Sequence, residues 1–129
     1  DEYQPGTAIR YDMGQRANFI LLPMLQASLD LLLDWTPEAV QEYCGDLASP
    51  LIEAAVSLGF SVEQDEWRAD HLFGLRMPRG LELDALKAEM ASRKIHASLR
   101  GSALRVSPHV YNDESDVGAL IEALQAVRL

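Results

Sequence analysis

Arg100-Gly101-Ser102-Ala103-Leu104-Arg105-Val106-Ser107-Pro108-His109-Val110-Tyr111-Asn112, residues 100–112, is the stretch on which the reading of this chain turns. Its apolar positions alternate through Leu104 and Val106, and Gly101-Ser102 is a two-residue break of the kind that joins paired strands. The spacing predicts the end of one strand, a tight turn, a short second strand, and a loop closed by Asn112 before a helix. Two arginines flank that turn. A guanidinium presents a planar fork of N–H donors that matches two oxygens at once, so Arg100 and Arg105 are candidates for binding a carboxylate or phosphate. The same residues also read as the solvated ends of two strands.

Working outward, Ile95 to Leu99 supplies the first strand of the pair. Before it, Leu83, Leu86 and Met90 give a short helix its apolar face, with Arg93 and Lys94 in its last turn, where cations favour the helix dipole. Met77-Pro78-Arg79-Gly80 is a turn. Phe60-Ser61-Val62 and His71 to Leu75 read as two further short strands, most simply an antiparallel pair. After the opening stretch, Asn112 or Asp113 caps a final helix whose Val117, Leu120, Ile121, Leu124 and Val127 face the core.

Towards the N-terminus, Thr36-Pro37-Glu38 marks a helix start, because Pro suits the first turn and Glu complements the dipole. Val40, Tyr43, Cys44, Leu47, Leu51, Ile52 and Ala55 recur at helical spacing, and Gly59 can end the helix in a left-handed conformation. Pro50 lacks an N–H and crowds the carbonyl of Asp46, so a kink or break is expected there, at about 3 kcal/mol against a straight helix. From Phe19 to Trp35 the sequence is almost wholly apolar, with Gln26, Asp30 and Asp34 forming one narrow polar stripe. A helix apolar nearly all round wants cover on more than one side, and an absent domain or subunit would supply it; otherwise it exposes a sizeable apolar patch. Asp1 to Gln15 has no sustained periodicity and reads as an extended arm. The order of elements predicts an α+β fold with helices packed on one face of a small, mainly antiparallel sheet.

A chain of 129 residues fits one domain, and 48% hydrophobic against 24% charged residues is ordinary for a globular protein. No stretch is long and apolar enough to span a bilayer. The balance of 20 acidic against 11 basic residues, a formal net charge of −9, argues against nucleic acid or an anionic membrane as partner. A single cysteine, Cys44, excludes an intramolecular disulfide and a Cys-rich zinc site and fits a reducing, cytoplasmic location. The start at Asp1, with no secretory signal, reads as a truncation. His71, His96 and His109 lack metal-ligand spacing, and Cys44 lies on an apolar helix face as a small buried hydrophobe. Neither a Gly-rich phosphate loop nor a Gly-x-Ser-x-Gly elbow is present.

The run from Leu99 to Glu114 resembles the C-terminal end of class V pyridoxal-phosphate enzymes, the group of cysteine desulfurases, selenocysteine lyases, kynureninases and several aminotransferases. Arg10 to Phe19 resembles the segment that leads in this family from the large cofactor-binding domain into the small one. The resemblance implies a lead-in over residues 1–18 from an absent large domain, and a C-terminal small domain over 19–129. It implies that Arg105, in the pattern Arg-x-Ser-x-x-x-Tyr-Asn, binds the substrate α-carboxylate, with Arg100 a second arginine near the active-site mouth. Arg16 would approach the cofactor phosphate across a homodimer. A pyridoxal 5′-phosphate cofactor and an amino-acid substrate would belong to the parent enzyme, a transferase or lyase, and this piece would be inactive alone. Two departures matter. No cysteine stands beside Gly101 and Ser102, which disfavours desulfuration by a thiol, and the Schiff-base lysine belongs to the large domain rather than to Lys87 or Lys94. A free-standing α+β ligand-sensing or dimerisation module without catalytic activity is the alternative.

Overall fold

The structure, a computed structural model, describes residues 18–127. Its contacts divide the chain into two units, Asp1–Thr36 and Pro37–Leu129. The first contains helix α1, Leu21–Trp35, whose start is marked by Asn18 Oδ1 accepting from the Leu21 N–H at 2.9 Å. None of its residues is buried; Met24 and Leu33 are among its exposed apolar side chains, and Phe19 and Ile20 just before it are exposed as well. No helix among the described residues is long and apolar enough to cross a membrane.

The second unit holds α2 (Pro37–Ser57), a 3-10 turn (Asp65–Trp67), β1 (Phe73–Arg76), α3 (Leu83–Ser92), β2 (Ser98–Arg100), β3 (Ala103–Val106) and α4 (Glu114–Ala126). The strands form one antiparallel sheet in the order β1-β3-β2. Leu75, Leu104 and Leu99 make one row across it, and the first two are fully buried. They pack with Leu47, Leu51 and Ala55 of α2, Leu86 and Met90 of α3, and Leu120 and Leu124 of α4. All three helices therefore cover one face of the sheet, as the sequence pattern predicts for an α+β fold. Period-two alternation then puts Gly74, Arg105 and Ser98 in one row of the opposite face, and Arg76, Ala103 and Arg100 in another.

Three local details differ from the pattern-based expectation. Pro50 lies inside α2, which runs unbroken from Pro37 to Ser57; Leu47, Ala48 and Leu51 around it are buried, and their packing outweighs the missing hydrogen bond. Phe60 to Val62 is no full strand, since only Ser61 pairs with the sheet edge, exchanging hydrogen bonds of 3.0 and 2.8 Å with Arg76. The helix α3 stops at Ser92, so Arg93 and Lys94 lie beyond its last turn rather than within it.

Both α2 and α3 end in the same motif. The Gly59 N–H reaches the Val56 carbonyl and the Phe60 N–H the Ala55 carbonyl, each at 3.0 Å, with Gly59 at φ 86°. At the end of α3 the Lys94 N–H reaches Ala91 at 3.1 Å and the Ile95 N–H reaches Met90 at 2.8 Å, with Lys94 at φ 58°. These are Schellman closures, and the left-handed position normally belongs to glycine because a Cβ is crowded there. In α3 it is a lysine.

Candidate functional site

Arg105 is placed by three features of the sequence. The Gly101-Ser102 turn has glycine at its first central position with φ 59°, the backbone that a type II′ hairpin requires. That turn sets the register in which Arg105 lies opposite Ser98 on β2 and Gly74 on β1. Burial of Leu104 and Val106 forces the residue between them outward. Arg105 thus stands at the centre of the open sheet face between a glycine and a serine, neighbours too small to crowd its guanidinium. Arg105 is exposed, as is Arg100.

Arg76 and Arg100 flank Ala103 on the same face. Arg76 holds Glu63 at 3.2 Å with both side chains 65% exposed, a surface pair worth little against solvent. The sequence pattern did not single out Arg76; its position two residues along from Gly74 on the same face could have been read once the register was known. Arg16 and the expected lead-in, save Asn18, lie outside the described residues.

Downstream of Arg105 the chain is fastened rather than free. Asn112 Oδ1 accepts from the His109 N–H at 3.1 Å, and Asn112 Nδ2 donates to Asp116 Oδ2 at 3.0 Å. The Tyr43 hydroxyl donates to the Asn112 carbonyl at 2.7 Å, and the Cys44 thiol lies 3.6 Å from the Pro108 carbonyl. Asp113 caps α4, accepting from the Ser115 and Asp116 N–H groups at 2.8 and 3.2 Å, while Asp116 returns the bond to the Asp113 N–H. The Ser115 hydroxyl also donates to the Asp113 carboxylate at 2.7 Å, and this bond first, then the backbone N–H groups of Asp116 and Ser115, hold the Asp113 carboxyl below its ordinary value of 3.8. The stretch therefore has two parts: Arg105 stands outward and exposed on the sheet face, and Pro108, Asn112 and Asp113 anchor β3 to α2 and α4.

A cleft of about 720 Å³ opens beside Arg105, between the end of α3 and the β2 edge. Lys87, Lys94, His96, Ser98, Arg105 and Ser107 contribute to it, above apolar wall residues including Met90 and Ile95. None of its lining residues is acidic, although the chain carries a net charge of −9. Of the other histidines, His71 Nδ1 lies 3.1 Å from Gln41 Oε1, and His109 stacks on Tyr111 with ring centroids 5.4 Å apart. Among the described residues, no three His, Cys, Asp or Glu side chains gather as a metal site. Cys44 is buried, and desolvation, with the Asp70 charge second, pushes its thiol above its ordinary value of 9.0.

No family model matches the chain, and no curated protein matches it in sequence. In three dimensions it is similar to the solved structure of an alanine–glyoxylate aminotransferase from Nostoc sp. The superposition has a TM-score of 0.65 at 20% identity and covers 92% of this chain. The fold is shared. This chain spans 33% of that aminotransferase's length, so the likeness concerns one part of the larger protein.

The lysines bear on whether a pyridoxal cofactor fits this part. The Lys87 ammonium is held by Asp84 at 3.0 Å and is 56% exposed, and Lys94 is exposed as well. A lysine that forms a Schiff base works from a desolvated pocket or beside another cation that activates it. The cleft around these two is open, and neither its acid-free lining nor its exposed lysines provide a seat for the covalent bond. The described residues do not fit the cofactor by themselves.

Proposed function

We propose that this chain is the small domain of a pyridoxal-phosphate-dependent, class V aminotransferase-like enzyme acting on an amino acid. In it, Arg105 anchors the substrate α-carboxylate. The observation that carries this reading is the position of Arg105: centred on an open sheet face, between Gly74 and Ser98, in a fold shared with an aminotransferase. A bidentate guanidinium–carboxylate pair fixes both the position and the tilt of an amino acid, which is what a reaction at its Cα needs. The rigid fastening of the loop after β3 supports the same role, because a positioning group must itself be held.

Arg100, exposed at the hairpin end, is assigned a secondary place at the mouth of the site. Arg16 is assigned to the cofactor phosphate of a partner subunit in a homodimer. The pyridoxal phosphate would be carried by the large domain of the same polypeptide, and this chain alone would be inactive. Its own residues bind and orient; whether the parent transfers, eliminates or cleaves belongs to the cofactor-bearing part, a transferase or lyase. A second reading, a free-standing ligand-sensing or dimerisation module, is supported by the self-contained core of Pro37–Leu129.

The test is Arg105→Ala in the full-length parent. The expected result is a loss of roughly one to three orders of magnitude in kcat/KM, from the cost of a charge-assisted pair. Arg105→Lys should recover part of it, since lysine keeps the charge and loses the fork. An unchanged kcat/KM for Arg105→Ala would sink the assignment, and a parent gene encoding no large domain would favour the module.

A further inference from the structure

Lys94 occupies a backbone position that glycine fills in the equivalent closure of α2, as the φ values of 58° for Lys94 and 86° for Gly59 show. A residue held in a left-handed conformation against its preference points to a use for its side chain. Complementing the dipole of α3 is not a sufficient use. Arg93, the residue before it, already places a guanidinium at that helix end, bonded to Glu89 and Glu122. What Lys94 does reach is the cleft beside Arg105, where Lys87 and His96 join it and Ser98 and Ser107 add hydroxyl groups. Lys87 is already paired with Asp84 at 3.0 Å, but Lys94 and Arg105 line one cleft with no carboxylate among its lining residues, which makes it an anion site in an otherwise acidic chain. The apolar wall beneath, with Met90 and Ile95, suits the carbon skeleton between two charged ends.

We propose that this cleft takes a second anionic group, a carboxylate or a phosphate, of the ligand whose first carboxylate rests on Arg105. The preferred ligand class is then a dianionic amino or keto acid. This rests on the anchor reading of Arg105, and the experiment separates the two.

The full chain, labelled with nitrogen-15, is titrated at constant ionic strength with acetate, succinate and inorganic phosphate, following the amides of 94–98 and 104–107. The variants are Lys94→Gly, Arg105→Ala and His96→Gln. Lys94→Gly removes the charge while giving the backbone the residue it prefers, so the fold is retained. Succinate is expected to bind roughly 3–5-fold more tightly than acetate, the worth of one additional partly exposed ion pair. Lys94→Gly should bring succinate to within about 2-fold of acetate and weaken phosphate, leaving acetate unchanged. His96→Gln should reduce the succinate preference only in part. Equal affinities for succinate and acetate in the unmodified chain overturn the proposal. So does a preference that survives Lys94→Gly; in that case loss of acetate binding in Arg105→Ala leaves the anchor reading standing. Acetate binding that persists in Arg105→Ala overturns the anchor reading instead, and the cleft then stands or falls on whether Lys94→Gly weakens phosphate.

Discussion

Replacing Lys94 by glycine should make the protein more stable. Lys94 closes α3 at φ 58°, and moving a non-glycine residue out of the left-handed region is worth about 1 kcal/mol. Against that stands the loss of a cation near a helix C-terminus, about 0.3–0.5 kcal/mol at low salt, softened because Arg93 remains at the same end. The net gain is roughly 0.5–0.7 kcal/mol, which for a domain of this size raises Tm by about 2–5 °C. Because the opposing dipole contribution is screened by salt, the gain should increase towards its full value in about 0.5 M NaCl. Lys94→Ala is the control: it removes the same charge without relieving the backbone and should be neutral or slightly destabilising. Gly59→Ala, in the matching closure of α2 at φ 86°, should lose about 1 kcal/mol. The assay is urea and thermal unfolding followed by circular dichroism, with unchanged m-values as the check that only stability has moved. A glycine variant no more stable than the alanine variant would refute the reasoning, since backbone strain is the one feature on which they differ.

Other expectations concern the fastening of the site. The Asp113 carboxyl is held below 3.8 by its bonds to Ser115 and Asp116, so its contribution is fully present above the unfolded-state pKa. It is lost as pH falls through the lower folded-state value, below about pH 4. Asp113→Asn, which keeps a capping side chain, should flatten that part of the Tm profile, whereas Asp113→Ala should lower Tm throughout; an unaltered profile in both would disprove the cap's role. The Cys44 thiol is buried with its pKa raised above 9.0, so at pH 7.5 a disulfide reagent should react with it only through opening of the fold. Its rate should rise with urea in step with unfolding, and fast labelling of the native protein would contradict this. Arg105→Ala should leave Tm within about 2 °C of the unmodified chain, because an exposed strand residue contributes little to stability. A large drop in Tm would mean that the loss of activity in the parent reports on folding.

How much of the site could be read from residues alone varies with the range of the interactions involved. The hairpin was legible because a Gly-Ser break between alternating apolar residues is a local signal, and it led directly to Arg105 on the outward face. Asp113 and Asn112 were both candidates for the cap of α4; the structure divides the work, with Asp113 capping and Asn112 holding the loop. Arg76 was missed because its place on the same sheet face as Arg105, opposite Ala103, depends on pairing between β1 and β3, two strands far apart in the chain.

The amino-acid sequence by itself determined the helices, the hairpin and the α+β class, since each is dictated by spacing within a few residues: 3.6 for the buried stripes of α2 and α4, two for β3. Tertiary structure decided what no local window contains. It carried α2 through Pro50 by burying its neighbours, and it reduced Phe60 to Val62 to a single bridge. It ended α3 early, so that Lys94 became a left-handed closing residue beside Arg105. Long-range packing can outweigh a local preference of one to a few kcal/mol. At Lys94 that packing holds a disfavoured backbone in place, at the edge of the cleft where its charge faces the proposed ligand.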